Sequence, residues 1–374
     1  MGDRACDSSG VPIPALPGVV ALMQAAGQGP AVTAVLLSYD CEAYVGAALD
    51  GVLAQDYAGP LEIVVSDDAS RDASFEIVQA RAGQYRGPHR LVLKRRPSNS
   101  GSKSAHLNGV LPGCSGELLV SFDGDDVSIP TRVSRIVDRF VSNPAAQAVY
   151  SSFTLMGDGI RPARAARVPH PPPATDAAAW FARIDAYAAG ATLAVRRTVV
   201  DAFGPLDPSL NEDVQLPFRA GLMGDVEFID EPLVHVNRRP GSFTADWQRY
   251  ESLVAYRDRM FAGLDTAARA RCSRLGDIET AARLQPEQHE RFDRLRELVE
   301  RSMDDAELTR ALVSDRFGLR LRGLVAVCRA GAYRRELAQH AFLALAPQLY
   351  LAYRRRRLGL AEARLHASAP DART

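Results

Sequence analysis

Three aspartates gathered around one glycine, Asp123-Gly124-Asp125-Asp126, follow directly on the apolar run Leu118-Leu119-Val120-Ser121-Phe122. A run with a β-branched residue and an aromatic has the pattern of a buried strand. Carboxylates at the carboxyl end of such a strand stand where open α/β sheets hold their ligands. Carboxylates this close repel one another and raise each other's pKa unless a cation is shared. Hard divalent cations take oxygen ligands, commonly one or two carboxylates completed by substrate phosphates. The segment therefore reads either as a metal site bridging protein to a phosphorylated ligand, with Asp123, Asp125 and Asp126 as ligands, or as a solvated acidic turn.

The elements that position these carboxylates decide between the two. A first strand, Ala31 to Leu37, ends in Ser38-Tyr39-Asp40, and a helix follows with Val45, Ala48, Leu49 and Val52 on one face, stopping at Gly59-Pro60. A second strand, Leu61 to Val65, runs into Ser66-Asp67-Asp68-Ala69-Ser70-Arg71-Asp72. A helix over 73–82, a strand at Leu91 to Leu93 and a Gly/Ser-rich entry to a short helix, Asn99 to Gly109, complete the approach. Strands alternating with helices imply βαβ units and a mostly parallel sheet with right-handed crossovers. Loops that follow parallel strands share one edge of the sheet, so the polar clusters at 38–40, 67–68 and 123–126 are expected to converge. One acidic turn is ordinary; three at successive strand ends make a site.

Downstream, Ile129-Pro130-Thr131 opens a helix whose buried face is Val133, Ile136, Val137 and Phe140, and a strand is expected over 148–153. Successive prolines sustain neither regular element, so 161–173 is expected as a surface loop or flap. A helix over 176–188, a strand over 191–195, a helix opened by Asn211-Glu212-Asp213 and a strand over 226–229 follow, before Pro232 to Arg239. From about 246 the segments read as helices to the end. The expected organisation is a flexible leader over 1–30, a catalytic unit over 31–245 divided near 150, and a helical C-terminal region over 246–374.

The bulk composition, 47% hydrophobic and 24% charged over 374 residues, is that of an ordinary globular chain. A formal net charge of zero gives no global field for nucleic acid, which is not expected as a partner. Five scattered cysteines without a C-x-x-C pair suit a reducing compartment, and seven histidines show no zinc-type spacing. No apolar run reaches membrane-spanning length, and prolines 12, 14 and 17 interrupt the early apolar stretch, so a cytoplasmic protein is expected. Near the end, apolar residues from Ala341 to Tyr353 abut Arg354-Arg355-Arg356-Arg357; this fits a helix at the inner face of the cell membrane, one packed on its own domain, or a dimer contact.

Taken in order, these motifs resemble the inverting GT-A glycosyltransferases of family 2, over about Ala31 to Ser242. Leu37-Ser38-Tyr39-Asp40 resembles the opening nucleotide loop, with Asp40 standing where the family usually has Asn. Asp67-Asp68-Ala69-Ser70-Arg71-Asp72 resembles the D-D-x-S-x-D segment, and Gly101 to Gly109 the G-x-x-x-A-x-N-x-G stretch. Asp123-Gly124-Asp125-Asp126 resembles the D-x-D-D metal motif; Gly190 to Arg197 is similar to the acceptor-side strand; Glu212-Asp213 resembles the E-D pair of the catalytic base; and Arg238 with Ser242 resembles the closing R-x-x-x-S segment.

The resemblance implies a metal-dependent transfer of a sugar from a nucleotide donor, UDP before others, to a saccharide or lipid-linked acceptor. Asp123, Asp125 and Asp126 would hold Mg²⁺ or Mn²⁺. Ser38, Tyr39, Asp40, Asp67, Asp68, Lys103, Asp123, Gly124 and Arg238 would hold the nucleotide sugar, with Asp68 on the base imide and Arg238 or Arg239 on the pyrophosphate. Asp213, seconded by Glu212, would deprotonate the acceptor hydroxyl, and Gly190, Ala191, Thr192 and Trp180 would face the acceptor. Blander roles stand beside these. Asp40 and Asn211-Glu212-Asp213 are also helix-capping types, Arg238 and Lys103 also suit solvated turns, and Trp180 also suits a core. Two rivals to the transferase are a sugar nucleotidyltransferase and an inactive nucleotide-sugar-binding scaffold. The first lacks its Gly-rich basic loop after Ser38, and intact Asp125 and Asp213 speak against the second.

Overall fold

The computed structural model describes residues 29–157, 159–166, 190–237, 253–312, 314, 316–329, 342, 344–350, 352, 353 and 356. Four parallel strands form the first half of the sheet in the order β3 (Arg90–Arg95), β2 (Leu61–Asp67), β1 (Val32–Ser38), β4 (Leu118–Asp123). Every residue of β1 and β2 is buried, as expected for central parallel strands covered on both faces.

Two cores lie on the two faces. On one, α1 (Val45–Leu53), α2 (Ser74–Gln84) and α4 (Arg132–Ser142) set Val45, Leu49, Val52, Val78, Val133 and Ile136 against Ala34, Leu36, Ile63 and Val65. On the other, α3 (Lys103–Val110), α5 (Arg197–Phe203) and α6 (Glu212–Met223) set Leu107, Val110, Val199, Leu216 and Ala220 against Val35, Val64, Leu119 and Val195. The period-2 alternation of β1 thus sends Ala34 and Leu36 to one core and Val35 and Leu37 to the other.

Beyond β4 the sheet is mixed rather than continuing parallel. Strand β8 (Ala194–Arg196) runs antiparallel to both β4 and β6 (Ala146–Gly157), and β9 (Asp225–Asn237) runs parallel to β6. Short β5 (Val127–Ser128) is antiparallel to β9, and β7 (Gly159–Ala166) is antiparallel to β6, making nine strands among the described residues.

Three expectations change here. The strand expected over 191–195 opens instead as a buried 3-10 turn, Gly190–Thr192, and extends only from Ala194. Part of the expected loop over 161–173 is strand: β7 runs to Ala166, with Pro162 opposite Met156 where the register slips. Among the described residues β7 pairs only with β6, and a proline is tolerated on a strand with one hydrogen-bonded side. The segments at 226–229 and 232–237 join into one strand, β9, which absorbs Pro232 at a bulge opposite Ser152. The rest of the proline-rich run, the helix over 176–188 with Trp180, and Arg238, Arg239 and Ser242 lie outside the described residues.

Helices α7 (Leu253–Leu284), α8 (His289–Leu312) and α9 (Phe317–Arg329) confirm a helical C-terminal region. A third core ties it to the sheet-bearing part of the chain: Phe218 and Leu222 of α6 pack with Ile278, Ala281, Phe292, Leu295 and Val299. Buried Arg219 pairs with Asp277 at 3.1 Å, and Gln285 and Arg291 donate to the Leu222 and Gly221 carbonyls. Those carbonyls belong to the last turn of α6, which has no helical donors of its own. No helix among the described residues is long and apolar enough to cross a membrane.

Candidate active site

The carboxyl ends of β1, β2 and β4 meet in a cleft of about 330 Å³ lined by Ser38, Tyr39, Asp68, Asn99, Lys103, His106, Asp123, Gly124 and Asp125, among others. The sheet delivers this directly: Ser38 lies opposite Asp67 in the β1–β2 register, and Leu37 opposite Asp123 in β1–β4. Gly124 follows without a side chain because none fits. Its amide donates to the Leu37 carbonyl at 2.8 Å, and a Cβ there would lie 2.9 Å from that oxygen and 3.0 Å from Cys41 Sγ.

On the β2 side the two adjacent aspartates part ways. Asp67 is fully buried and accepts from Ser38 Oγ, from the Ser70 amide at 2.9 Å and from Ser70 Oγ. It was grouped with the nucleotide ligands by sequence, but its carboxylate faces into the loop and shapes it. Asp68 lines the cleft, accepting from the Ser100 amide and hydroxyl and from Asn99 Nδ2, with Arg96 Nε at 3.1 Å. Asp40 caps no helix: the N-cap of α1 is Tyr44, and Asp40, at φ +44°, binds the Arg71 amide and guanidinium. That guanidinium holds the Asp40 carboxyl below its ordinary value and lies over the Tyr39 ring, 5.7 Å from its centre. Buried His106 hydrogen-bonds Ser66 at 2.8 Å, a structural role, and burial pushes its pKa down.

At the acidic turn, oxygens of Asp123, Asp125 and Asp126 lie within 4.8 Å of one another. Burial, and then the charges of Asp123 and Asp125, push Asp126 up to about 8. Three carboxylate oxygens this close together at the edge of the cleft make an oxygen donor set that fits Mg²⁺ or Mn²⁺. Two further residues hold the turn and were not singled out by sequence. Asn237, at the end of β9, donates its amide to Asp126 at 2.9 Å and its side chain to the Asp125 carbonyl. Arg132 is fully buried, stacked 4.3 Å over Phe122 and bonded to the Ser121 carbonyl. Burial lowers its pKa to about 10 while Asp123 and Asp126 oppose that shift.

Across the cleft, Lys103 Nζ lies 2.6 Å from Asp123 and 2.7 Å from Glu212. Burial works against the ammonium, but the two carboxylates outweigh it and hold Lys103 above its ordinary pKa. This bridge joins the metal-type turn to the first turn of α6, and no solvated role for Lys103 remains. The register between α3 and α6 is built by side chains that bond backbone. Asn108 bonds both the amide and the carbonyl of Leu206, each at 2.8 Å, and Ser104 Oγ donates to the Leu210 carbonyl at 2.5 Å. Both contacts grip the loop that launches α6.

Glu212 and Asp213 sit at the start of α6, where Asn211 is the N-cap but makes no side-chain cap bond. Gly190 makes room for them: a Cβ there would lie 2.2 Å from Glu212 Oε1 and 3.3 Å from Lys103 Nζ. Burial, then the Glu212 charge, push Asp213 up to about 7, against Lys103 and a hydrogen bond from the Gly190 amide. Gly190, Ala191 and Thr192 are all buried, and Gly190 lies against the Glu212 carboxylate. The arrangement can hold a cation and a nucleotide on one side and take a proton near neutral pH on the other.

Residues 33–203 match the family model described as Glycosyl transferase family 2. The protein EpsE of Bacillus subtilis is 29% identical over 137 residues, 36% of this chain and 48% of that protein. An uncharacterized protein of Mycobacterium tuberculosis, Rv1520, is 36% identical over 111 residues, 29% of this chain and 31% of that protein. The chain thus spans about half or less of the length of these curated relatives. Among solved structures, residues 1–349 of S. aureus TarS, in complex with UDP-GlcNAc, superpose with a TM-score of 0.50 at 16% identity, covering 81% of this chain and 93% of that one. At that identity the likeness is one of fold.

Proposed function

We propose, for a chain whose residues 33–203 match the model of glycosyltransferase family 2 and whose fold is of the GT-A class, an inverting transfer of a sugar from a UDP-linked donor to a hydroxyl of a saccharide or lipid-linked acceptor. One observation carries the reading: the Lys103 bridge sets an acidic turn suited to a cation beside a carboxylate whose pKa lies near neutrality. A nucleoside diphosphate occupies the cleft, with its base at Asp68 and Tyr39 and its diphosphate at the acidic turn.

Asp123, Asp125 and Asp126 would hold Mg²⁺ or Mn²⁺, which when bound neutralises charge on the leaving diphosphate. Asp213 accepts the acceptor hydroxyl's proton as its oxygen bonds to the anomeric carbon and the bond to the diphosphate breaks. Attack from the face opposite the leaving group inverts the configuration, as in inverting glycosidases with the acceptor hydroxyl in place of water. A base with a pKa of about 7 is matched to this task at neutral pH. Lys103, 2.6 Å from Asp123 and 2.7 Å from Glu212, offsets part of the repulsion that these two carboxylates exert on Asp213. The UDP donor is supported by the complex of TarS, a protein of like fold, with UDP-GlcNAc.

The test is a thermal-shift series with UDP, GDP, CDP and dTDP, each with and without Mn²⁺, followed by NMR of the product formed from the best donor. A cation-dependent shift with UDP and a β-linked product from an α-linked donor are expected. Retention of configuration, or no shift with any nucleotide on folded protein, would overturn the reading.

A further inference from the structure

The C-terminal region carries a charge imbalance that the whole chain hides. Between 313 and 360 the sequence holds ten arginines against Asp315 and Glu336, an excess of eight positive charges in a chain whose total is zero. The described part of this region turns apolar side chains outward. In α9, Phe317, Leu321 and Val325 are 56%, 43% and 44% exposed and, being four apart, share one side of the helix, while Leu319 is exposed off that line. Leu345, Leu349 and Tyr353 repeat that spacing at 56%, 65% and 47% exposed. The two stretches touch, since Arg320 Nε donates to the Ala344 carbonyl at 2.8 Å, and their inner sides bury Gly323, Ala344 and Tyr350. Arg316, Arg322 and Arg356 are exposed beside the stripes. Apolar residues scattered singly over a surface need no explanation, but two ordered stripes flanked by one sign of charge do.

We infer that this face docks on an anionic lipid surface. The leucines and aromatics enter the boundary between headgroups and acyl chains, and the arginines meet lipid phosphates while their stems lie along the apolar surface. A second copy of the chain is the poorer occupant, because it would bring the same positive excess against itself, whereas an anionic bilayer cancels it. The contact is peripheral, as no helix among the described residues is fit to cross the bilayer.

The experiment is co-sedimentation of the full chain with phosphatidylcholine vesicles, with and without phosphatidylglycerol, at low and high salt. Binding is expected to be at least about tenfold stronger to the anionic vesicles and to weaken with salt. Leu321→Glu with Leu349→Glu should lower it about tenfold on both counts of apolar loss and added negative charge. Arg322→Gln with Arg356→Gln should weaken binding to the anionic vesicles alone. All four positions are exposed, so unchanged melting temperature and far-UV circular dichroism verify that the variants fold. Absence of binding, equal binding to both vesicles, or a dimer that the Leu→Glu pair dissociates would overturn the inference. UDP binding is followed in the same samples. Vesicle binding without nucleotide binding leaves this inference standing while the transferase reading fails.

Discussion

The base assignment is open to a test of sign as well as size. With a pKa of about 7, Asp213 is about one-tenth ionised at pH 6 and about nine-tenths at pH 8. The quantity kcat/KM, which reports ionisations of the free enzyme, should therefore fall about tenfold per unit on the acid side of that value. Asp213→Asn should cost about 10² to 10⁴ in kcat, or about 3–5 kcal/mol of barrier, with donor binding intact. The neighbours then move the acid limb in opposite directions. Glu212→Gln removes a like charge and moves it to lower pH; Lys103→Met removes an opposite charge and moves it higher. One pKa unit corresponds to about 1.4 kcal/mol of interaction, an ordinary size for a neighbouring charge, so about one unit each way is expected. Stability gives a second readout. A carboxyl raised from 3.8 to about 7 binds its proton more tightly in the folded state, so between those values folding stability falls as pH rises. Asp213→Asn, which cannot ionise, should thus melt higher than the parent at pH 8 while losing activity. Activity within tenfold of the parent in Asp213→Asn refutes the assignment. So does a Glu212→Gln enzyme that is dead with no shifted limb, which would make Glu212 the base.

Three further outcomes are expected. Asp125→Asn should abolish the Mn²⁺-dependent part of the UDP thermal shift, which at a hundredfold excess over Kd amounts to about 2.7 kcal/mol in the parent. Gly190→Ala should displace Glu212 and Lys103, since its Cβ would meet Glu212 Oε1 at 2.2 Å. A cost of about 1–3 kcal/mol in urea unfolding and a fall in kcat larger than any change in donor KM are the signs to look for. Arg219→Met alone should destabilise by about 3–5 kcal/mol, because it strands buried Asp277, while Arg219→Met with Asp277→Leu should recover most of that loss. Urea midpoints of the two single variants and the double variant measure it, and a loss in the double variant equal to the sum of the two single losses would show that the pair is not coupled.

The nucleotide half of the molecule was legible in the sequence because its information is local. Buried parallel strands are short unbroken apolar runs, their polar ends are adjacent in the chain, and right-handed crossovers force those ends to one edge. From Val32 to Asp126 the elements stand where the pattern puts them, and Asp68, Asp123 and Asp125 share one cleft. Asp67 and Asp68 were alike on paper, and only the loop geometry turns one inward and leaves the other facing the cleft. Lys103 reads in sequence as a nucleotide-sugar ligand by resemblance, or as a solvated turn; its bridge to Asp123 and Glu212 was not legible, because those partners come from distant parts of the chain. Asn237 and Arg132 were silent for the same reason: a strand end and a buried guanidinium acquire meaning from what packs on them. The short 3-10 turn at Gly190–Thr192 overrode an apolar run that reads as strand, since room for Glu212 there matters more than β-propensity. Residue types and their spacing along the chain thus determined the parallel strands, the acidic turns and the family resemblance. Which carboxylates share a cation, a lysine or a raised pKa was decided by tertiary packing, because electrostatic free energy depends on distance and burial, and neither is a property of sequence order.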